Sequence, residues 1–561
     1  MIKIDLNVLS TTLEKNRQSA FDFQKRRHDD WLENYQLYRD KVVINRLTQR
    51  QSVNVSLMKE TVKTLLARID DAPDVFFDDQ ANDKEKEILA NAYWKDYLWR
   101  DKLEIKDIVD KKQVLIYGRT WKILNIVQGL PICEIFDPYD VLVDRMADPS
   151  DLDNTAQFII LQHIFKPLKN LERNPLYNKE ALKRLRIFFA NKNGLVKMVE
   201  NQESLAAKNE RLESMGVPDI ENPELGETYV EINYHFIKLY DKDKKKETLC
   251  VVCKAEDEIL MVKPIKELLG IDFFPTNTWS DDIERTDIYP DATADIVRTP
   301  NKVVNAWLSQ LVENRTMRNY GMNYYDSTIE GFIPPMFEPK PWGWYPVPGK
   351  PKEVFEKVDI PELSESLDEM TFMIGMVERA TAATATEKGV KEGRQITLGE
   401  VKLMTDKATE RITSMAKFYR IAWREFGEKW IKLVEANAGK LKELELYKKS
   451  FKGNFFSKKV KPTMFKSTAG WNIRVISSAE QEQESLNTVE KLAAIKIDFQ
   501  GNEAFGKIYK KKLLDLAKLS PDEISEVLDE EKQKQEVINT GALPMTPGQL
   551  VPMPTPAMAN V

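Results

Sequence analysis

The sequence predicts a mixed α+β chain, mainly helical and assembled from several parts. Three observations carry this. Apolar residues recur at three- and four-residue steps through the first hundred residues and again beyond residue 300. Two clusters of short strand-like runs, separated by glycine or charged turns, lie between those regions. The length of 561 residues, at about 150 per domain, gives a prior of roughly three to four domains.

Composition narrows the possibilities. Charged residues make up 31% and hydrophobic ones 42%, which suits a soluble chain large enough to bury cores without staples. Three cysteines cannot build a disulfide framework. No run approaches about 18 apolar residues, so no membrane-spanning helix is expected, and Met1 to Asp5 lacks the apolar stretch of a signal peptide. A net charge of −6 argues against gripping nucleic acid through a global positive field.

In chain order, helices are expected around Phe21, Trp31, Tyr35, Leu37 and Tyr38, and around Val62, Leu65, Leu66 and Ile69. Ala72-Pro73 interrupts the second, and a further helix carries Ile88, Tyr93, Trp94 and Tyr97. At Gln113 the texture changes. Val114 to Gly118 and Trp121 to Val127 read as strands, Gln128-Gly129 as a turn, Ile132 to Phe136 as a strand, and Asp137-Pro138-Tyr139-Asp140 as another turn. Phe158 to Phe165 is an apolar run, and residues 166–226 are polar and helical, like an insertion. Strands follow at Tyr229 to Tyr240, Thr248 to Lys254 and Ile259 to Val262.

A helix over roughly 300–318 places Pro300 in its first turn and Val304, Trp307, Leu308 and Leu311 on one face. About 40 residues rich in proline and aromatics come next, including Pro341 to Pro346 with Trp342, Trp344 and Tyr345. Such a segment cannot supply its own core and is expected to pack on another chain. A second helix carries Leu363, Leu367, Met370, Ile374 and Val377, and a small-residue stretch with Gly389 and Gly393 follows. Thr397-Leu398-Gly399-Glu400 is a capping box that opens a helix reaching 436, about 58 Å long at 1.5 Å per residue. Beyond the basic stretch Lys448 to Lys461 and a strand at Trp471 to Ile476, charged helices are expected over 480–540. The last 21 residues hold five prolines and no charge, the composition of a disordered or partner-docked tail.

Catalytic and metal chemistry find little support. Cys250 and Cys253 have a metal-pair spacing but fall on opposite faces of a strand, and one pair is half a zinc site. His28, His163 and His235 are scattered, which points to satisfied core or surface roles. Asp78-Asp79 and Asp281-Asp282 read as solvated loops. Gly501 to Lys507 matches a phosphate-binding loop until Ile508 stands where a magnesium-ligating Ser or Thr is needed, so a helix–turn–helix joint is expected. The reading is a non-enzyme with no catalytic residue, no metal and no cofactor.

The order helix, proline-rich β segment, helix, small-residue loop, long capped helix resembles the tailed-bacteriophage portal protein, or head-to-tail connector, especially that of short-tailed phages. Ala383 to Glu387 is similar to the segment ending the family's second stem helix, and Lys407 to Ile412 to the start of its long helix. Tyr117-Gly118-Arg119 and Asp137 to Asp140 resemble its wing sheet. The likeness spans residues 20–480 by architecture, and its specificity lies in the order of parts.

The resemblance implies a wing of mixed helices and β-sheet, a two-helix stem, a small β-containing clip, a tunnel loop, a long bridging helix and a helical crown. Residues 1–112 would be the helical part of the wing and 113–279 its stranded part, with the insertion near 166–226. The first stem helix region would be 280–320, the clip 321–362, the second stem helix 363–382, the tunnel loop 383–397 and the long helix 398–437. A wing return over 438–478, crown helices over 479–540 and the tail 541–561 complete it. Trp307, Leu311, Leu367 and Ile374 would belong to the stem, and Trp342, Trp344 and Tyr345 to a clip and oligomer interface. Lys388, Lys391 and Arg394 would face DNA, with Gly389 and Gly393 as loop hinges.

The implied assembly is a homo-oligomeric ring, usually of twelve, at the portal vertex of a virion and made in the host cytoplasm. Its partners would be double-stranded DNA in the channel, the terminase large subunit, the major capsid or scaffold protein and a tail adaptor, with no membrane. Twelve copies at −6 each carry a formal −72, which repels a duplex bearing one charge per about 1.7 Å and suits a conduit. The alternatives are a packaging-associated nucleotide-binding motor, built around Lys507, and a non-viral helical scaffold protein.

Overall fold

The computed structural model describes residues 6–41, 53–69, 73–191, 202–216, 229–241, 246–320, 323–325, 328, 350, 355–357, 366–381, 398–449 and 455–476. These form a mixed α+β fold with several antiparallel sheets. No helix among the described residues is long and apolar enough to cross a membrane. The chain divides into two units, residues 1–442 with 462–475 and residues 443–461 with 476–561.

The larger unit opens with α1 (Leu6–Lys25), α2 (His28–Tyr38) and α3 (Leu57–Leu66), then β1 (Asp74–Asp79), α4 (Lys84–Arg100) and α5 (Leu103–Tyr117). Strands β2 (Arg119–Val127) and β3 (Leu130–Phe136) make a hairpin around Gln128-Gly129, both at positive φ. A 3-10 turn at Pro138–Asp140, capped by Asp137, leads to β4 (Val141–Val143), α6 (Leu152–Thr155) and β5 (Phe158–Pro167). The polar region after β5 is helical, as α7 (Leu168–Arg173), α8 (Lys179–Asn191) and α9 (Gln202–Glu213). It is inserted between two paired strands, because β6 (Tyr229–Asp241) pairs directly with β5. β7 (Lys246–Ala255) and β8 (Glu258–Pro264) complete a five-stranded sheet in the order β4-β5-β6-β7-β8. After α10 (Ile265–Leu269), β9 (Thr276–Ser280) joins the other edge of β2.

The five-stranded sheet is buried on both faces. Leu9, Leu13, Ala20 and Phe21 of α1 pack on Leu142, Ile160, Ile237 and Val252, while Ile159, Leu161, Val251 and Cys253, of opposite parity, are buried too. At about 1.5–3 kcal/mol for each large apolar side chain, this layer is a main source of stability. Cys250 and Cys253 lie buried in β7 and outside any disulfide, and burial pushes the Cys253 thiol up to about 12. A second core joins α4 to the C-terminal part of a long helix: Trp94, Tyr93, Tyr97 and Phe77 surround Trp430, with the Trp94 and Trp430 rings 4.7 Å apart and nearly perpendicular. Ile88 of α4 stays exposed. β1 pairs with β14 (Trp471–Ile476) beside this cluster. In the smaller unit, β12 (Leu444–Lys449) and β13 (Phe455–Val460) form an antiparallel pair, so the basic stretch Lys448 to Lys461 is largely strand.

Several expectations need correction. Val114 to Tyr117 are the last turn of α5 rather than a strand, since Val114 and Tyr117 continue the buried face begun at Leu103, Asp107 and Asp110. Gly118 ends that helix at φ +85°, and a Cβ there would sit 2.3 Å from the Pro290 carbonyl oxygen, so only glycine fits. Tyr117-Gly118-Arg119 is therefore a helix-to-strand corner. Asp78 and Asp79 are not a solvated loop but the end of β1: Asp79 is buried, and the Ser467 hydroxyl, ahead of other donors, holds its carboxyl below the usual range. Asp281 is half-buried, with Oδ2 accepting from Thr293 Oγ1 at 2.6 Å and Oδ1 sealed without a partner; burial pushes its carboxyl up to about 7.

His235 is not a satisfied core histidine. It is buried in β6 with neither ring nitrogen partnered, and burial, reinforced by Lys254, drives it down to about 3. His28, packed against Tyr139 and Trp31, is lowered to about 4, first by burial and then by His163. Both histidines fold neutral, so the unfolded chain binds more protons below the ordinary value of 6.5. Stability should be full above pH 7 and fall as pH drops through 6.5, by about 2 kcal/mol per histidine at pH 5. Urea unfolding at pH 7.5 and 5.0 should show that loss, and His235→Leu should shrink it by about half.

Candidate functional site

The most distinctive described feature is a pair of helices joined through a pair of strands. α11 (Thr293–Tyr320) runs for 28 residues and leads to β10 (Asn323–Tyr325). β10 pairs antiparallel with β11 (Phe355–Lys357), and α12 (Ser366–Thr381) then packs along α11. α13 (Leu398–Ala436), of 39 residues, follows and enters the aromatic core around Trp430.

α11 starts seven residues before the sequence expectation, and Pro300 lies inside it rather than in its first turn. Asp295 explains the early start. Its Oδ2 accepts the Ala292 amide at 2.7 Å while the Asp295 amide bonds the Ala292 carbonyl, which caps the helix at 292. The same carboxylate receives Asn34 Nδ2 at 3.0 Å and is bridged by Arg27 and Arg298. Burial works against the charge on Arg27, but Asp295, Asp291 and Asp30 raise its pKa. Arg298 also reaches Asp30, and Lys302 reaches Glu33, so one side of α2 grips the first three turns of α11.

A polar stripe continues the attachment. Asn301, Asn305 and Ser309, four residues apart, accept the backbone amides of Met58, Val55 and Val53 at 3.0, 2.8 and 3.1 Å. These bonds satisfy a stretch of backbone with no strand partner, the condition for burying it beside a helix. Apolar packing runs alongside this stripe. Trp307 and Leu311 are half-buried on α11, Val304 is buried, and Met370 and Val377 of α12 are buried with Ile374 half-buried. Leu367 lies in the first turn of α12. Trp342, Trp344, Tyr345, Lys388, Gly389, Lys391, Gly393 and Arg394 lie outside the described residues, as do the loop at 501–508, the region 479–540 and the tail 541–561.

α13 is locked to the body by buried charge. Lys111 pairs with Asp107 at 2.7 Å and Lys122 with Asp110 at 2.9 Å. Tyr419 of α13 donates to Asp107 at 2.5 Å, and Trp279 Nε1 donates to Asp110 at 2.8 Å. Lys122 also lies over the rings of Trp423 and Phe426, 5.3 and 5.6 Å from their centroids. Burial raises the pKa of Asp107 against the pull of Lys111. Each cation neutralises a carboxylate at once removed from water and in reach of the long helix.

A second polar cluster escaped the sequence reading. Arg211 of α9 forks onto Asp137, bonds the Tyr117 hydroxyl at 2.9 Å and lies within 4.9 to 5.7 Å of the Tyr35, Tyr117 and Tyr139 rings. Burial opposes its charge, yet Asp137 raises its pKa. Beside it Lys208 and His163 share Asp140 at 2.6 and 2.8 Å, with His163 at φ +58° in a bulge of β5. These contacts hold the inserted α9 on the body. Among the described residues no cluster of three or more His, Cys, Asp or Glu is placed to hold a metal.

No known family matches this sequence, and no curated protein matches it.

Lys122→Met should leave Asp110 charged and buried beside Trp279, a loss of about 3–5 kcal/mol. Thermal unfolding should show it as a fall of many degrees, whereas Lys432→Met, on an exposed pair, should change little.

Proposed function

We propose that this chain is the portal subunit of a tailed bacteriophage, forming a ring at one capsid vertex through which double-stranded DNA enters during packaging and leaves during ejection. One observation carries the reading: a helix rooted in a mixed α/β body, a strand pair, a returning helix and then a 39-residue helix that re-enters the body. In this reading α11 and α12 are the stem, the region around β10 and β11 is the clip, residues 383–397 are the tunnel loop and α13 is the bridge between wing and crown. Terminase docks on the clip during packaging and a tail adaptor replaces it, while the capsid or scaffold protein surrounds the wing.

Electrostatics support a conduit. A net-acidic subunit repels the duplex, so DNA slides rather than sticks. Lys388, Lys391 and Arg394, set among Glu387 and Glu392, supply the local positive charge that centres or brakes it. Purified protein imaged in negative stain should give annular particles with a central hole, and only single-copy mass at all concentrations would refute the assembly. Reversing the three loop charges should leave rings intact but reduce retained genome, measured as packaged DNA length; unchanged retention removes the tunnel-loop assignment.

A further inference from the structure

We infer that the basic hairpin β12–β13 is a nucleic-acid contact, a two-stranded ribbon whose lysines meet the phosphates flanking a groove of duplex DNA. It is separate in sequence from the stem, the clip and the tunnel loop. It also needs no ring, since one chain carries the whole element.

Charge is concentrated here against the trend of the chain. Residues 446–461 hold six lysines and no acidic residue, a local +6 on a chain whose total is −6. Exposed charges more than about 8 Å away are largely screened at physiological ionic strength, so a polyanion at the hairpin meets the local sign. All six cations are lysine and none is arginine. Lysine is a point charge that neutralises phosphate, whereas arginine is the forked donor that reads guanine, so the contact is blind to base sequence.

Strand register distributes these charges. At the root Leu444 pairs with Val460, both buried, and Lys461 Nζ lies 3.1 Å from Glu443 Oε2, so this end is apolar and charge-balanced. Glu445 stands opposite Lys459. Further out, Lys448 stands opposite Phe456 and Lys449 opposite Phe455. Because alternate residues of a strand take opposite faces, Lys448, Phe456 and Lys458 share one face and Lys449, Phe455 and Lys459 the other. Each face thus carries two lysines and one phenylalanine. A bilayer meets only one face of a ribbon and favours one that gathers its apolar groups on that face. The even division here suits a groove instead. The major groove, about 12 Å wide, admits a two-stranded ribbon and has phosphates along both walls. Six residues per strand make a ribbon about 20 Å long, enough to lie across it.

The test uses the full-length protein and fluorescence anisotropy with a labelled 30-bp duplex of arbitrary sequence. The unsubstituted chain should bind at 50 mM salt, with an affinity that falls steeply as salt rises. Lys448→Gln, Lys449→Gln, Lys458→Gln and Lys459→Gln in one chain should weaken binding at least tenfold and lower the log–log salt slope by about 3, with far-UV circular dichroism unchanged. The same four positions changed to Arg should restore affinity to within about threefold. Undiminished binding by the Gln variant, or no binding by the unsubstituted chain, overturns the inference. So does an Arg variant that fails to restore it, which assigns the lysines to folding. Tighter binding to a 30-mer single strand than to the duplex replaces groove docking with base stacking on the phenylalanines and overturns it. Tighter binding to vesicles containing 30% phosphatidylserine, lost in the Gln variant, makes the hairpin a membrane contact and overturns it as well. Negative stain of the same samples scores rings separately: their absence refutes the ring reading and leaves duplex binding by the hairpin standing.

Discussion

Asp295 is the constraint on which the arrangement of the helix pair depends. One carboxylate caps α11 through the Ala292 amide, takes a hydrogen bond from Asn34 and neutralises Arg27 and Arg298. Asn34 at the same time bonds the Ile116 carbonyl in the last turn of α5. Three helices thus meet at one anion, and none can shift without leaving a charge or an amide unpaired. A broken pair of this kind costs more than an exposed surface bridge, because water cannot replace the lost partner. The polar stripe of Asn301, Asn305 and Ser309 extends the hold along two further turns, so α11 leaves the body in one direction.

α13 obeys the same logic with different parts. Its middle is held by Tyr419 on Asp107 and by the rings around Lys122, its end by the packing of Trp430 on Trp94 and Tyr93. Buried lysines are costly, and here each has a carboxylate and an aromatic face. The body is consequently a rigid base for both helices.

Much of this was legible in the sequence. Periodicity located α13 to within a residue of its observed end, and alternation located β2, β3 and β5 to β8 because one or both faces of those strands are apolar. The helix α12 is readable from its apolar spacing. What failed did so for tertiary reasons. Val114 to Tyr117 is β-branched and aromatic enough to read as strand, yet its buried face belongs to a helix that starts at Leu103. Pro300 suggested a helix start, but the cap that matters is Asp295, recognisable only once Ala292 is seen to precede a helix. β1 and β9 were missed because each is a short edge strand whose partner lies far along the chain. Arg211 and His163 carry no local signal, since their partners come from α2, α5 and the turn at Pro138. The Asn-Asn-Ser spacing on α11 was readable as a four-residue polar stripe, although only the structure supplies the amides it serves.

Pro300 has a mechanical corollary. An imide in the eighth position of α11 leaves the Ile296 carbonyl without its helical donor, so the backbone ladder lacks one rung there. A rod yields first at its missing rung. That weak point coincides with the turns clamped by Arg298 and Lys302, where ion pairs can re-form after a small tilt.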